Sequence, residues 1–394
     1  MQDLPSLQGG GAAVCPTCDH WLERTSGRSI TAALACALAT VLLLFPANLL
    51  PLMSVSALGM SRQSYISSGV LALWNAQWVI VALMVTVFAI TLPFVRFTML
   101  AVVLASVRLN RRPSWLGRAF RWTIHLDVWS MPDVFLIGCA VGYSRVSANL
   151  SVTIDWGGRC LIAAALLSML SRATLDRRTV WRAIAPEQPL PSGQSSTHVI
   201  SCTTCDLVVP AEAQDEGCPR CGARVSVRRR YATSITLALI IAGFALYLPA
   251  NIYPMSSDTQ LGQLVPHRIV DGIMELYRAG LWPLGILIFC TSIAIPLLKL
   301  GGLGWFLLSV RRRSQHRLVL KTRLYRLIDE VGRWSNVDVF TISVFVPLLQ
   351  FGALASARAD TGATAFILVV VLTMIASRLF DPRLMWDAAL GPHG

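Results

Sequence analysis

From Ser29 to Ser61 the chain carries no charged residue, a run longer than the about 20 helical residues that cross a hydrocarbon core. In that solvent each backbone N–H and C=O must be satisfied internally, so only helices or a closed barrel can span it. Similar stretches recur to the C-terminus, and the expected spans are 30–52, 78–107, 128–146, 158–175, 232–254, 279–310, 337–357 and 363–380. Composition agrees: 54% of the 394 residues are hydrophobic and 14% charged, against roughly 25% charged in an average soluble domain. The reading is an all-α polytopic membrane protein with eight spans. The first span is too long for a signal-peptide core and is expected to be retained.

Basic residues set the orientation. Arg108, Arg111, Arg112, Arg118 and Arg121 crowd one loop, and Arg311, Arg312, Arg313, Arg317, Lys321, Arg323, Arg326 and Arg333 crowd another. The positive-inside rule makes both loops cytoplasmic, together with 172–230 and both termini. The net charge of +13 follows from that topology, so nucleic-acid binding is not expected.

The chain also repeats itself. Pro46-Ala47-Asn48-Leu49-Leu50-Pro51 returns 203 positions later as Pro249-Ala250-Asn251-Ile252-Tyr253-Pro254, and Pro93-Phe94-Val95-Arg96 as Pro296-Leu297-Leu298-Lys299. Trp129-Ser130-Met131-Pro132-Asp133-Val134-Phe135 returns at an offset of 205 as Trp334-Ser335-Asn336-Val337-Asp338-Val339-Phe340. Four spans per half bring both halves in from the same side, giving two parallel four-helix repeats, 29–181 and 229–386. Residues 1–28 precede the first repeat, a Pro/Ser-rich linker covers 182–200, and 387–394 form a tail.

Between linker and second repeat, 201–228 contain Cys202-Thr203-Thr204-Cys205 and, twelve residues on, Cys218-Pro219-Arg220-Cys221. Two such knuckles close a tetrahedron of thiolates, the pattern of a structural zinc ribbon. A disulfide or redox dithiol is the competing reading, and the reducing environment of the expected cytoplasmic side favours metal binding over it. Cys15 and Cys18, 203 positions before Cys218 and Cys221, form only half a site. The expected metal content is therefore about one Zn2+ per chain, with the half-site either truncated or continued upstream of the assigned start.

Ionisable groups within spans are functional candidates. Lys299 and its equivalent Arg96 each lie twelve residues before the arginine that closes the helix, about 18 Å along its axis. Either they are buried or they snorkel to the headgroups. Asp133 and Asp338 open their spans three residues after Ser130 and Ser335, which fits a capping box. The sharper expectation pairs Lys299 with Asp338 and Arg96 with Asp133. Proline removes a backbone donor, so Pro46, Asn48, Pro51, Pro249, Asn251 and Pro254 mark either a helix break and hinge or a plain helix end. Cys36, Cys139, Cys160 and Cys290 read as core residues. No phosphate loop or nucleophile elbow is present, and no enzyme is expected.

This ordered set of motifs, given twice from Cys15 to Trp386, resembles the paraquat-inducible protein A family. The resemblance implies an inner-membrane protein of Gram-negative bacteria that moves phospholipid or other lipid in concert with a periplasmic MCE-domain tunnel protein. It implies that Cys202, Cys205, Cys218 and Cys221 ligate zinc, and that Lys299 and Asp338 form the polar core of the second repeat. Arg96 departs from the lysine common in the family, and the first ribbon is incomplete. A secondary transporter of small solutes, drawing on a proton gradient, and a zinc- or redox-responsive sensor remain as other readings.

Overall fold

A computed structural model describes residues 12–15, 21–24, 29–57, 60–147, 151–185, 199–210, 215–229, 231–260, 263–278, 280–349 and 355–390. It opens with a hairpin of β1 (Ala12–Val14) and β2 (Trp21–Arg24), then α1 (Ile30–Leu49), β3 (Met53–Ala57) and β4 (Met60–Ser64). Next come α2 (Ile66–Asn75), α3 (Val79–Val85), a π-helical stretch Thr86–Thr91, and α4 (Leu92–Arg108). The first half closes with α5 (Leu116–Asp127), α6 (Pro132–Ser147), β5 (Ser151–Ile154), α7 (Trp156–Thr174) and α8 (Arg177–Ile184).

After β6 (Val199–Ser201) and β7 (Val208–Pro210) the same order returns as α9 (Ala232–Ile252), β8 (Ser256–Gln260), β9 (Gln263–His267) and α10 (Ile269–Arg278). It continues with α11 (Trp282–Ile288), a π-helical stretch Phe289–Ala294, α12 (Ile295–Arg311) and α13 (Leu318–Val331). A 3-10 turn Gly332–Asn336 leads to α14 (Val337–Leu349), β10 (Ala355–Ala359), α15 (Thr361–Leu379) and α16 (Arg383–Leu390).

The chain is mostly helical and multi-pass. Among the described residues six helical stretches have the length and composition to cross a membrane: Ile30–Leu49, Val79–Arg108, Leu116–Ser144, Ala232–Ile252, Trp282–Arg311 and Thr361–Leu379. A seventh results if α7 and α8, bent by 66° at their junction, count as one. Of the eight expected spans, 337–357 is described only as the 13 residues of α14, and 350–354 lie outside the described residues.

Two features correct the all-α expectation. Strands β4, β3 and β5 form an antiparallel sheet in that order, and β10, β8 and β9 form another. Met53-Ser54-Val55-Ser56-Ala57 alternates apolar and polar residues, the period of a half-buried strand, with Val55 wholly buried. These strands span only four or five residues, so their signal is masked by the apolar spans beside them. The π stretches lie just before Pro93 and Pro296. Proline offers no N–H, so the carbonyl four residues back loses its α-helical partner, and a wider π turn answers that locally.

The Pro-Ala-Asn-x-x-Pro segments prove to be helix ends. The helices α1 and α9 run through Pro46 and Pro249 and stop within a turn. Asn251 Nδ2 donates to the Tyr247 carbonyl at 2.9 Å, covering backbone beside Pro249. The Pro51 and Pro254 carbonyls then accept the first-turn N–H groups of Gly157 and Gly362 at 3.0 and 3.1 Å. A Cβ on Gly157 would stand 2.4 Å from the Leu50 carbonyl oxygen, and one on Gly362 2.5 Å from that of Pro254. The close approach sets the starts of α7 and α15 against these ends.

The chain divides into two compact units, residues 1–45, 91–132 and 162–229 in one and 46–90, 133–161 and 230–394 in the other. In the first, Phe97, Leu100, Leu104, Phe120, Val180 and Trp181 form a core that includes Cys202, Cys205, Cys218 and Cys221. In the second, one core cluster gathers Ile240, Leu300, Leu303, Phe306, Ile328 and Phe380. Also in the second unit, Phe135 of α6 meets Phe340 of α14 edge to face, with ring centroids 5.5 Å apart. These two phenylalanines correspond at the offset of 205.

Candidate functional site

Two tight turns bring the four cysteines together. The Cys202 N–H donates to the Leu207 carbonyl at 2.8 Å, and the Cys218 N–H to that of Ala223 at 2.7 Å. Gly222 closes the second turn at φ +66°, a conformation that disfavours side chains with a Cβ. All four side chains are buried, and their Sγ atoms lie within 4.8 Å of one another. The Cys202–Cys221 and Cys205–Cys218 sulfur pairs are each 3.6 Å apart. A tetrahedron with metal–sulfur bonds of ~2.3 Å has edges of about 3.8 Å, so this donor set fits a thiophilic metal ion. Crowding splits the thiols: hydrogen bonds with Cys205, Cys218 and Cys221 hold Cys202 below the usual thiol range. The bond with Cys202 pushes Cys205 above it.

The knuckle pair follows the first half in sequence and docks on that half's helices. A Cβ on Gly117 of α5 would lie 1.9 Å from the Arg220 carbonyl oxygen, while one on Gly222 would meet Arg118 Cγ at 3.2 Å. Two glycines therefore let backbone meet helix. Phe120 and Trp181 stack edge to face beneath, with centroids 4.7 Å apart. At the N-terminus, Val14 pairs with Trp21 across the β1–β2 hairpin. The bridge between Gly217 and Arg224 is the same pair 203 positions on. Cys15 is half-buried, and Cys18 lies outside the described residues.

Arg96 and Lys299 are 3% and 1% exposed, so both are enclosed by protein. Arg96 corrects the expected pairing: its Nη2 stands 2.6 Å from Oδ1 of Asp127, the last residue of α5. Arg172 Nε and Arg177 Nη2 reach the same carboxylate, each at 2.9 Å. Arg172 Nη2 also donates to the Ser130 carbonyl at 2.9 Å. Asp133 in turn takes Arg333, at 3.7 Å. An aspartate at the end of α5 reaches α4 sideways, whereas Asp133 begins the next helix.

In the second half Lys299 Nζ donates to Ser335 Oγ at 3.0 Å, and Ser335 Oγ donates to the Gly332 carbonyl at 2.9 Å. Ser335 thus holds the buried ammonium, which its expected capping role did not foresee. A Cβ on Gly332 would stand 2.8 Å from Lys299 Cε, so glycine makes the room. The Asp338 side chain, and with it the expected Lys299–Asp338 pair, lies outside the described residues. Asp329 takes Arg378 at 3.3 Å. Asp127, Asp329, Arg172 and Arg378 were not among the sequence candidates. Their signal was present as Ser171-Arg172 and Ser377-Arg378, cations inside spans that need a carboxylate.

The family model for paraquat-inducible protein A matches residues 30–185 and again 234–389. The intermembrane transport protein PqiA of Escherichia coli is 31% identical over 98% of this chain and 93% of its own length. A probable intermembrane transport protein of Haemophilus influenzae is 26% identical over 98% and 93%. The lipophilic envelope-spanning tunnel protein A of Escherichia coli is 28% identical over 98% and 88%. No solved structure matches the chain. With the family model matched in both halves, the chain belongs to the paraquat-inducible protein A family.

Proposed function

We propose that this chain is the inner-membrane component of an intermembrane lipid transport system, passing lipids to or from a periplasmic tunnel protein built of MCE domains. The observation that carries it is the match over 98% of the chain to proteins named for intermembrane transport and for an envelope-spanning tunnel. Eight spans in two parallel repeats, with the ribbon and both termini cytoplasmic, are the topology that goes with it. The recurrence of each helix and π stretch with starts 202 to 206 residues apart, and the Phe135–Phe340 contact, support that arrangement.

Within it the four cysteines ligate a zinc ion. A closed four-thiolate shell has no open position, so the ion is structural and braces the turns against α5. Buried Lys299 and Arg96 place basic side chains within the spans, in the helices that follow the π stretches. Full-length protein, extracted with a mild detergent from cells holding its MCE partner, is expected to co-purify with that partner and with lipid identifiable by mass spectrometry. A chain that purifies alone and lipid-free, and whose loss leaves lipid exchange between the membranes unchanged, would contradict the proposal.

A further inference from the structure

The helix that receives the knuckle pair presents arginines to it. Gly117 of α5 admits the Arg220 carbonyl, and the next residue, Arg118, runs along Gly222, where a built Cβ would stand 3.2 Å from Arg118 Cγ and 3.5 Å from its Cδ. Arg121 Nη1 would lie 3.8 Å from the same point, beside the residue that follows Cys221. A third guanidinium belongs to the knuckle itself. Arg220, between Cys218 and Cys221, is 6% exposed, and its Nε and Nη2 are buried with no hydrogen-bond partner among the described residues. None of the three arginines meets a carboxylate among the described residues. The aspartates of the knuckle pair, Asp206 and Asp215, face Arg178 and Arg224 instead. A guanidinium keeps its proton inside a protein, and a charge held out of water is costly unless an opposite charge answers it. Four thiolates around a divalent ion leave two net negative charges, and outer partners of metal ligands tune how tightly the ion is held.

We propose that Arg118, Arg121 and Arg220 are positioning residues for the four-cysteine site, answering the negative charge of its loaded form. Because two of them stand on α5, metal retention and docking of the knuckles on that helix are linked, each strengthening the other. The inference rests on the zinc reading and deepens it. The full-length protein in a non-ionic detergent, loaded with zinc, is titrated at fixed pH with a chromogenic chelator, at low and at high sodium chloride. Arg118→Gln with Arg121→Gln is expected to weaken zinc retention roughly 10- to 100-fold, the usual weight of a ligand's outer partners, while Arg118→Lys with Arg121→Lys stays close to native. Salt is expected to loosen zinc in the native chain and to have less effect in the glutamine pair, since it screens exposed charge. Arg220→Met keeps the bulk and removes the charge, and it is expected to lose zinc faster than native. A native chain that binds no zinc overturns the zinc reading and this inference with it. A native chain that holds zinc no more tightly than the glutamine pair, or a lysine pair as weak as the glutamine pair, overturns the inference alone, and an Arg220→Met protein that retains zinc as the native chain does removes Arg220 from it.

Discussion

Asp127→Asn removes the one negative charge on which Arg96, Arg172 and Arg177 converge. The native carboxylate meets them at 2.6, 2.9 and 2.9 Å. Arg177, half in solvent, contributes little, because an exposed ion pair is worth about 0–1 kcal/mol. The enclosed contacts decide the magnitude. Removing one partner of a buried pair costs about 3–5 kcal/mol, since the charge left behind stays in a medium of low dielectric. Asparagine keeps the shape and one acceptor oxygen, so the expected loss is at the lower end, about 3 kcal/mol. Unfolding of the full chain in mixed micelles, followed by tryptophan fluorescence, reads it. The double variant Asp127→Asn with Arg96→Met should recover part of the loss, because an apolar side chain of similar size removes the most deeply buried of the charges that Asp127 had answered. An Asp127→Asn protein within about 0.5 kcal/mol of native, or a double variant whose losses simply add, refutes the reasoning.

Gly117→Leu forces a side chain into the Arg220 carbonyl, and overpacking of this kind costs about 1–3 kcal/mol. The expected result is a knuckle pair that proteases cut faster while the rest of the chain stays intact. Metal analysis of the full chain should find about one ion, unchanged in Cys15→Ser and lost in Cys218→Ser, since a structural site needs four ligands. Acidification should release that ion, because protons compete for thiolates; retention of metal after Cys218→Ser would contradict the assignment. Ser335→Ala leaves the Lys299 ammonium without its acceptor and should cost about 1.5–3 kcal/mol. Adding Lys299→Met should restore part of that stability, and a further loss would place the lysine's support elsewhere.

Much of this architecture is legible in the amino-acid order because it depends on local quantities. The charge-free run 29–61 requires a helix of a given length, and the two Cys-x-x-Cys pairs require turns that bring sulfurs together. The offset of 203 aligns the halves before any coordinates. What escapes is set by three-dimensional approach. Arg96 stands beside Asp127 because α5 packs back along α4, and no sequence separation distinguishes Asp127 from Asp133 as its partner. Docking of the knuckles on the half that precedes them depends on Gly117 alone among the residues of α5 lacking a side chain. The serine of Trp-Ser-x-x-Asp looks like a cap in sequence, yet in the second half Ser335 faces the lysine of another helix. The strands 53–57 and 256–260 are hidden by their brevity and by the apolar spans that flank them.

The two halves differ most where they are charged. Asp176 accepts from the Arg178 and Thr179 N–H groups at 3.1 and 3.4 Å, and Asp381 from that of Arg383 at 3.0 Å, so the caps of α8 and α16 fix the local alignment. Trp181 and Trp386, also 205 positions apart, hold the helices from the other end, one on Phe120 and one through its Nε1 on Thr322 Oγ1 at 3.0 Å. Within that frame Arg177 of the first half corresponds to Pro382 of the second. Proline suits a helix start because its missing N–H has no intrahelical partner there, but it brings no guanidinium. In the second half Asp329 takes Arg378 at 3.3 Å, while Lys299 donates to Ser335 Oγ at 3.0 Å. The buried cation of the first half therefore meets a carboxylate directly, and its equivalent in the second half meets a hydroxyl.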